Sequence, residues 1–120
     1  MEYKIFDDRL TIKVEGKVDS MTSTYVEECV ENICNENNFK SLVLDFANVD
    51  YISSAGLRVC LRLKKKYSDF KIIDTSLEVY DIFEMTGFVD IMTVEKAFRK
   101  MTIIYRIRKF RMILLLIIYL

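Results

Sequence analysis

The chain has no histidine and no tryptophan among its 120 residues, and only three glycines and three cysteines. Without histidine, the Ser-His pairing that activates most serine hydrolases is excluded, and nothing in the pattern marks a lysine as a substitute base. Gly16, Gly56 and Gly87 stand isolated, so there is neither a P-loop nor a GxGxxG turn to cradle a nucleotide's phosphates. Cys29, Cys34 and Cys60 form an odd set with no CxxC pair, each in an apolar helical pattern. They read as small buried hydrophobes in a reducing compartment, not as metal ligands. Basic and acidic residues balance at 18 each, so no cationic excess points to nucleic acid, and the missing tryptophan removes a stacking platform. The amino terminus, MEYKIFDDRL, is acidic and lacks the basic segment and apolar run of a secretory signal, which predicts a cytoplasmic protein. No catalytic set emerges, so no enzyme is expected.

What is present is a sequence of alternating periodicities. LTIKVE at 10–15 alternates apolar and polar residues as a half-buried strand does; Gly16 is expected to turn the chain there, and YKIF at 3–6 to pair beside it. From Thr24 the period becomes helical, with Tyr25, Val26, Cys29, Val30, Ile33 and Cys34 on one face and a capping box at Thr24 and Glu27. SLVLDF at 41–46 reads as a central strand covered on both faces. Residues 56–67 read as a buried helix whose Arg58, Arg62, Lys65 and Lys66 form one basic stripe. FKII at 70–73 is a further strand. Thr75 and Glu78 suggest a second capping box before a helix that ends at Gly87 in a left-handed cap. IMTV at 91–94 is the last strand, followed by a short helical piece around 95–100. The expectation is an α/β domain over residues 1–100, a mixed β-sheet of about four to five strands packed by about four helices.

DYISSAGLRV at 50–59 places two serines between a β-like run and a helix start. The plain reading of Ser53 or Ser54 is a helix N-cap. A strand-to-helix turn also exposes a hydroxyl at the carboxyl edge of the sheet, where the helix amino terminus favours an anion, so the site suits phosphorylation. Asp19, Asp45 and Asp50 are the carboxylates nearest to expected strand ends; Asp45 and Asp50 read as solvated or turn-forming acids.

Three segments in order, VEGKVDSMTS at 14–23, SLVLDFANVDYISSAGLRV at 41–59 and VYDIFEMTGF at 79–88, resemble the STAS domains, and among them the bacterial anti-sigma factor antagonists. A frequent loop in that family reads Asp-Ser-Ser-Gly-Leu. Aligning Gly56-Leu57 on its Gly-Leu implies Ser54 as the phosphate acceptor, with Ser53 as the fallback and in place of the aspartate. The resemblance further implies partner switching: the unphosphorylated protein binds an anti-sigma factor that is also a serine kinase, and the phosphorylated one releases it until a phosphatase acts. ATP and magnesium would belong to the kinase, and this chain would hold no cofactor or metal. The implied contact surface is Asp19, Ser53, Ala55, Gly56, Arg58 and Arg62.

The last 20 residues fall outside the resemblance. Residues 1–100 carry 14 basic and 18 acidic side chains, whereas 101–120 carry four basic and none acidic. The tail joins Arg106, Arg108, Lys109 and Arg111 to nine apolar residues from Met112 to Leu120, too few to span a bilayer, which takes about 20. It is compatible with peripheral membrane contact, with an extra helix packed on the core or in a dimer, and with read-through from a shifted reading frame. The tail also motivates a second functional reading, a STAS scaffold subunit of a membrane-associated complex such as a lipid transporter.

Overall fold

In the computed structural model, which describes residues 1–97, the chain begins as a hairpin. Strands β1 (Tyr3–Phe6) and β2 (Arg9–Val18) pair antiparallel through Asp7 and Asp8, both at positive φ, 52° and 62°. Two successive left-handed residues match the right-handed twist of the flanking strands. Helix α1 (Ser23–Glu36), β3 (Ser41–Ile52), α2 (Ser54–Lys66), β4 (Phe70–Thr75), α3 (Leu77–Met85), a 3-10 turn (Phe88–Asp90) and β5 (Thr93–Lys96) follow. The sheet order is β1-β2-β3-β4-β5, with every pairing after the first parallel.

Successive parallel strands that are also neighbours require the same crossover each time, so the three helices return to one face. That face holds the core: Leu10, Ile12 and Val14 of β2 and Leu42, Leu44 and Phe46 of β3 pack with Val26, Val30, Leu57, Cys60, Leu63, Val79 and Phe83 of the helices. The other face carries Thr11, Lys13, Asp45, Lys71 and Ile73, which line a shallow hollow. Helical cover of β3 on both faces, expected from its apolar run, is therefore not found among the described residues. Val43, between its register partners Thr11 and Lys71, is buried on the helix-free face and breaks the alternation of residues 42–46.

Several boundaries differ from expectation for identifiable reasons. Gly16 does not end β2; it sits inside the strand at φ 81°, where the β2–β3 register shifts, as in a bulge. Both strands continue past it, β2 to Val18 and β3 to Ile52. The Thr24–Glu27 capping box is replaced by a turn centred on Asp19, because the N-cap of α1 lies two residues earlier, at Thr22. Thr75 is 1% exposed at the end of β4, where its hydroxyl donates to the Glu95 carbonyl. Capping of α3 passes to Ser76, whose Oγ accepts from the Val79 N–H at 3.2 Å. Gly87 has φ 79° just past α3, the left-handed cap its position suggested. Glu95 and Lys96 belong to β5, two residues later than expected, so the helical piece anticipated at 95–100 does not begin there; its last three residues, and the tail at 101–120, lie outside the described residues. The described residues thus hold three α-helices, none long and apolar enough to cross a membrane.

All three cysteines are free; Cys34 and Cys60 are buried and Cys29 half-buried. Burial pushes the Cys60 thiol up to about 12. Helices α1 and α2 are joined by two ion pairs at matching spacing. The Arg62 guanidinium donates twice to Glu27, at 2.7 and 2.9 Å, and Lys66 Nζ donates to Glu31 at 2.5 Å.

Candidate functional site

The junction of β3 and α2 is built on the end of β2. Val18 pairs with Ile52, and its carbonyl accepts the Ser53 N–H at 3.0 Å. The first turn of α2 then lies directly against Val18: a Cβ on Gly56 would meet the Val18 carbonyl oxygen at 2.5 Å and Ile52 Cγ1 at 2.7 Å. Only glycine fits so close an approach of helix to strand. Gly56 thereby fixes where the two preceding serines stand.

The serines stand differently. Ser53 occupies the N-cap position, with extended backbone (φ −100°, ψ 178°), and its carbonyl accepts the Leu57 N–H at 2.9 Å. Its hydroxyl makes no capping bond; Ser53 Oγ is buried without a hydrogen-bond partner. Ser54 is the first helical residue and is exposed. N-capping by Ser54 is thus not what the structure displays, and of the two serines it is Ser54 that is exposed at the helix amino terminus. Phosphate there would be added where the helix dipole is positive.

Asp19 follows Val18 directly and orders the adjacent turn. Its Oδ1 accepts the N–H groups of Met21 (2.9 Å) and Thr22 (3.2 Å), while its own N–H donates to Thr22 Oγ1 at 3.0 Å. The Met21 N–H, chiefly, holds the Asp19 carboxyl below its ordinary 3.8. Ala55 is half-buried and Gly56 buried, whereas Arg58 is exposed and, four residues after Ser54, shares its side of the helix. Arg62 lies one turn further along, engaged by Glu27. Asp19, Ser53, Ser54, Ala55, Gly56 and Arg58 are therefore gathered at the carboxyl edge of the sheet, with Arg62 at a distance and tied to α1. Asp45 lies elsewhere, half-buried on the helix-free face, where its Oδ1 accepts the Ala47 N–H at 2.9 Å. Asp50 is exposed along β3, and among the described residues no cluster of three or more acidic, cysteine or histidine side chains is placed to hold a metal.

The sequence reading passed over the apolar part of this edge. Tyr25, expected on the buried stripe of α1, is 64% exposed, and Met21 in the Asp19 turn is 90% exposed. Tyr51, opposite Lys17 near the end of β3, is 47% exposed. The buried positions of α1 are Ser23, Val26, Val30, Ile33 and Cys34, a stripe that leaves Tyr25 pointing away. Ser23, three residues before Val26, takes the first place of the stripe, and its polarity hid the rotation of the helix from a reading by hydropathy.

The fold agrees with known proteins. A family model described as the STAS domain matches residues 1–101. BtrV of Bordetella bronchiseptica, assigned as an anti-sigma factor antagonist, is 31% identical over 96 residues, covering 76% of this chain and 81% of its own. The anti-sigma-B factor antagonist of Listeria monocytogenes is 28% identical over 94 residues, covering 75% and 82%. A crystal structure from Thermotoga maritima, of a protein assigned as an anti-sigma factor antagonist, superposes with a TM-score of 0.71 at 18% identity, covering 89% of this chain and 93% of that one. Matched over most of its length by the family model, and sharing the fold, the chain belongs to the STAS domain family.

Proposed function

We propose that this protein is an anti-sigma factor antagonist whose binding is switched by phosphorylation of Ser54. The observation that carries the choice of residue is the contrast between the two hydroxyls: Ser54 Oγ belongs to an exposed residue at the amino terminus of α2, whereas Ser53 Oγ is buried. The similarity to BtrV and to the Listeria protein supports the choice of partner class, an anti-sigma factor; in this proposal that partner is also a serine kinase. In the unphosphorylated state the exposed Met21 and Tyr25, in the turn and helix that follow β2, and Arg58, on the Ser54 side of α2, offer apolar and cationic groups for docking that partner. The kinase brings ATP and magnesium; the γ-phosphoryl passes to Ser54 Oγ, the hydroxyl proton is lost and ADP leaves. The new group adds about −1.5 to −2 charges in the middle of the contact, which breaks it by desolvation and repulsion without unfolding the domain. A phosphatase reverses the step by hydrolysis. The protein itself performs no catalysis, takes no cofactor, binds no nucleic acid directly and works in the cytoplasm.

Phosphate incorporation by a cognate anti-sigma factor kinase, with the site mapped by mass spectrometry, tests this in wild type, Ser53→Ala and Ser54→Ala. Labelling of wild type and Ser53→Ala, with loss in Ser54→Ala and retained binding of that variant, is expected. Labelling that disappears in Ser53→Ala instead moves the acceptor to Ser53. No labelling of any form, with co-purification of transporter subunits, replaces the switch with the scaffold role.

A further inference from the structure

Strand β1 is an edge with little protection. All four of its residues are exposed, with Tyr3 at 43%, Ile5 at 42% and Phe6 at 81%. It contains no proline, and an open edge of this kind invites another strand. Which backbone groups face outward follows from the hairpin. Phe6 and Arg9 flank the two-residue turn, so they form a hydrogen-bonded pair, and such pairs alternate along the ladder. The Lys13 N–H donates to the Glu2 carbonyl at 2.9 Å, as that alternation requires. Glu2, Lys4 and Phe6 therefore turn their amides toward β2, and Tyr3 and Ile5 turn theirs to the edge that no other described strand pairs with. Side chains alternate independently: Lys4 and Phe6, opposite Thr11 and Arg9, lie on the helix-free face, and Tyr3 and Ile5, opposite Ile12 and Leu10, on the helix face.

We propose that β1 is a dimerisation edge on which two copies of this chain pair antiparallel about a twofold axis at Tyr3. Axes at Tyr3, Lys4 and Ile5 give the twofold registers centred on the strand ahead of Phe6 that keep each side chain on its own face, and charge separates them. An axis at Lys4 sets two lysines directly opposite at the closer, non-hydrogen-bonded spacing, which is repulsive. An axis at Ile5 sets Lys4 against Phe6 and runs Tyr3 into Asp7 of the turn, whose positive φ takes it out of the strand. An axis at Tyr3 sets Glu2 against Lys4 of the partner subunit, twice by symmetry, and makes Tyr3 a hydrogen-bonded pair with its own copy. Pairing consumes both β1 edges, so the assembly closes as a ten-stranded sheet instead of growing into a fibre. The single lysine of the strand sets the register. A four-residue edge buries less than a standard interface, so association is weak, with a dissociation constant on the order of 100 µM.

Sedimentation velocity on the full chain, from low micromolar to about 1 mM, detects such a dimer. Glu2→Lys alone and Lys4→Glu alone weaken it about five-fold, and the double swap restores it, because the pair is re-formed with its signs exchanged. Tyr3→Cys gives an oxidised dimer, since hydrogen-bonded partners lie about 5.5 Å apart at Cα, within disulfide reach, whereas Lys4→Cys and Ile5→Cys do not exceed the background of the native cysteines. A strictly monomeric protein at the highest concentration overturns the proposal. Cross-linking at residue 5 in place of residue 3 overturns the register, and a dimer indifferent to every one of these substitutions shows association through another surface.

Discussion

Replacing Gly56 by alanine isolates the contact that positions the serine loop. On helix propensity alone, the change at an α2 position should stabilise the protein by up to about 1 kcal/mol. The structure opposes this with a specific obstruction. The added methyl would lie 2.5 Å from the Val18 carbonyl oxygen and 2.7 Å from Ile52 Cγ1, against an ordinary contact of 3.4 Å or more, so helix or strand must retreat by about 0.9 Å. Retreat is expensive because that same carbonyl accepts the Ser53 N–H. Overpacking of this kind costs about 1–3 kcal/mol, and weakening the hydrogen bond adds about 1 kcal/mol. With the propensity gain subtracted, a net loss of about 1–3 kcal/mol is expected, each kcal/mol lowering Tm by about 4–8 °C in a domain of this size. Urea and thermal unfolding followed by far-UV circular dichroism measure it, and amide shifts of residues 18 and 53 report whether the loop has moved. A Gly56→Ala protein as stable as wild type, with those shifts unchanged, would show that α2 does not approach β2 as described.

Ser53→Ala is expected to leave stability unchanged or raise it by up to about 1 kcal/mol, because the deleted hydroxyl is buried without a partner; a loss above 1 kcal/mol in urea would reveal a capping bond. Ser54→Ala, at an exposed first-turn position, should stay within about 0.5 kcal/mol of wild type in the same assay, so a defect in its phosphate uptake cannot be blamed on unfolding. Asp19 has its folded pKa lowered by the Met21 N–H, so its contribution to stability is present above the unfolded value and lost as pH falls through the folded one; an NMR titration of the Met21 amide should have its midpoint below 3.8, and one at or above 3.8 refutes the turn. Cys60, buried and pushed up to about 12, should resist alkylation at pH 9 in the native protein and react on unfolding, whereas rapid native-state labelling would contradict its place in the core.

The strands and helices were legible where one period dominates, as in Leu10–Val14 and Val26–Cys34, because a buried face imposes its spacing on the sequence. Their limits were harder to read. Ala47, Asn48 and Asp50 look like loop residues, and only pairing with β2 across two register shifts shows that β3 continues through them. Thr75 and Ser76 are equivalent capping candidates locally; the sheet decides, by taking the Thr75 hydroxyl for Glu95. At the site, the motif located both serines, but which hydroxyl is covered depends on Val18, which lies 35 residues earlier, and on the absence of a side chain at Gly56. The basic stripe of α2 was visible, yet its division was not. Arg62 is held by Glu27, while Arg58 makes no ion pair among the described residues, a difference set by how α1 and α2 lie against each other.

Sheet order that follows chain order also governs how the protein is made. No strand has to insert between two already paired, so each β-α unit adds to an edge left by its predecessor, and loop closures stay short. The hairpin of β1 and β2 offers the first template, α1 and β3 close on it, and α2 seals against Val18. Every contact described for the serine loop is therefore available before Phe70 leaves the ribosome. During synthesis, the proposed acceptor site belongs to the part of the molecule that matures first.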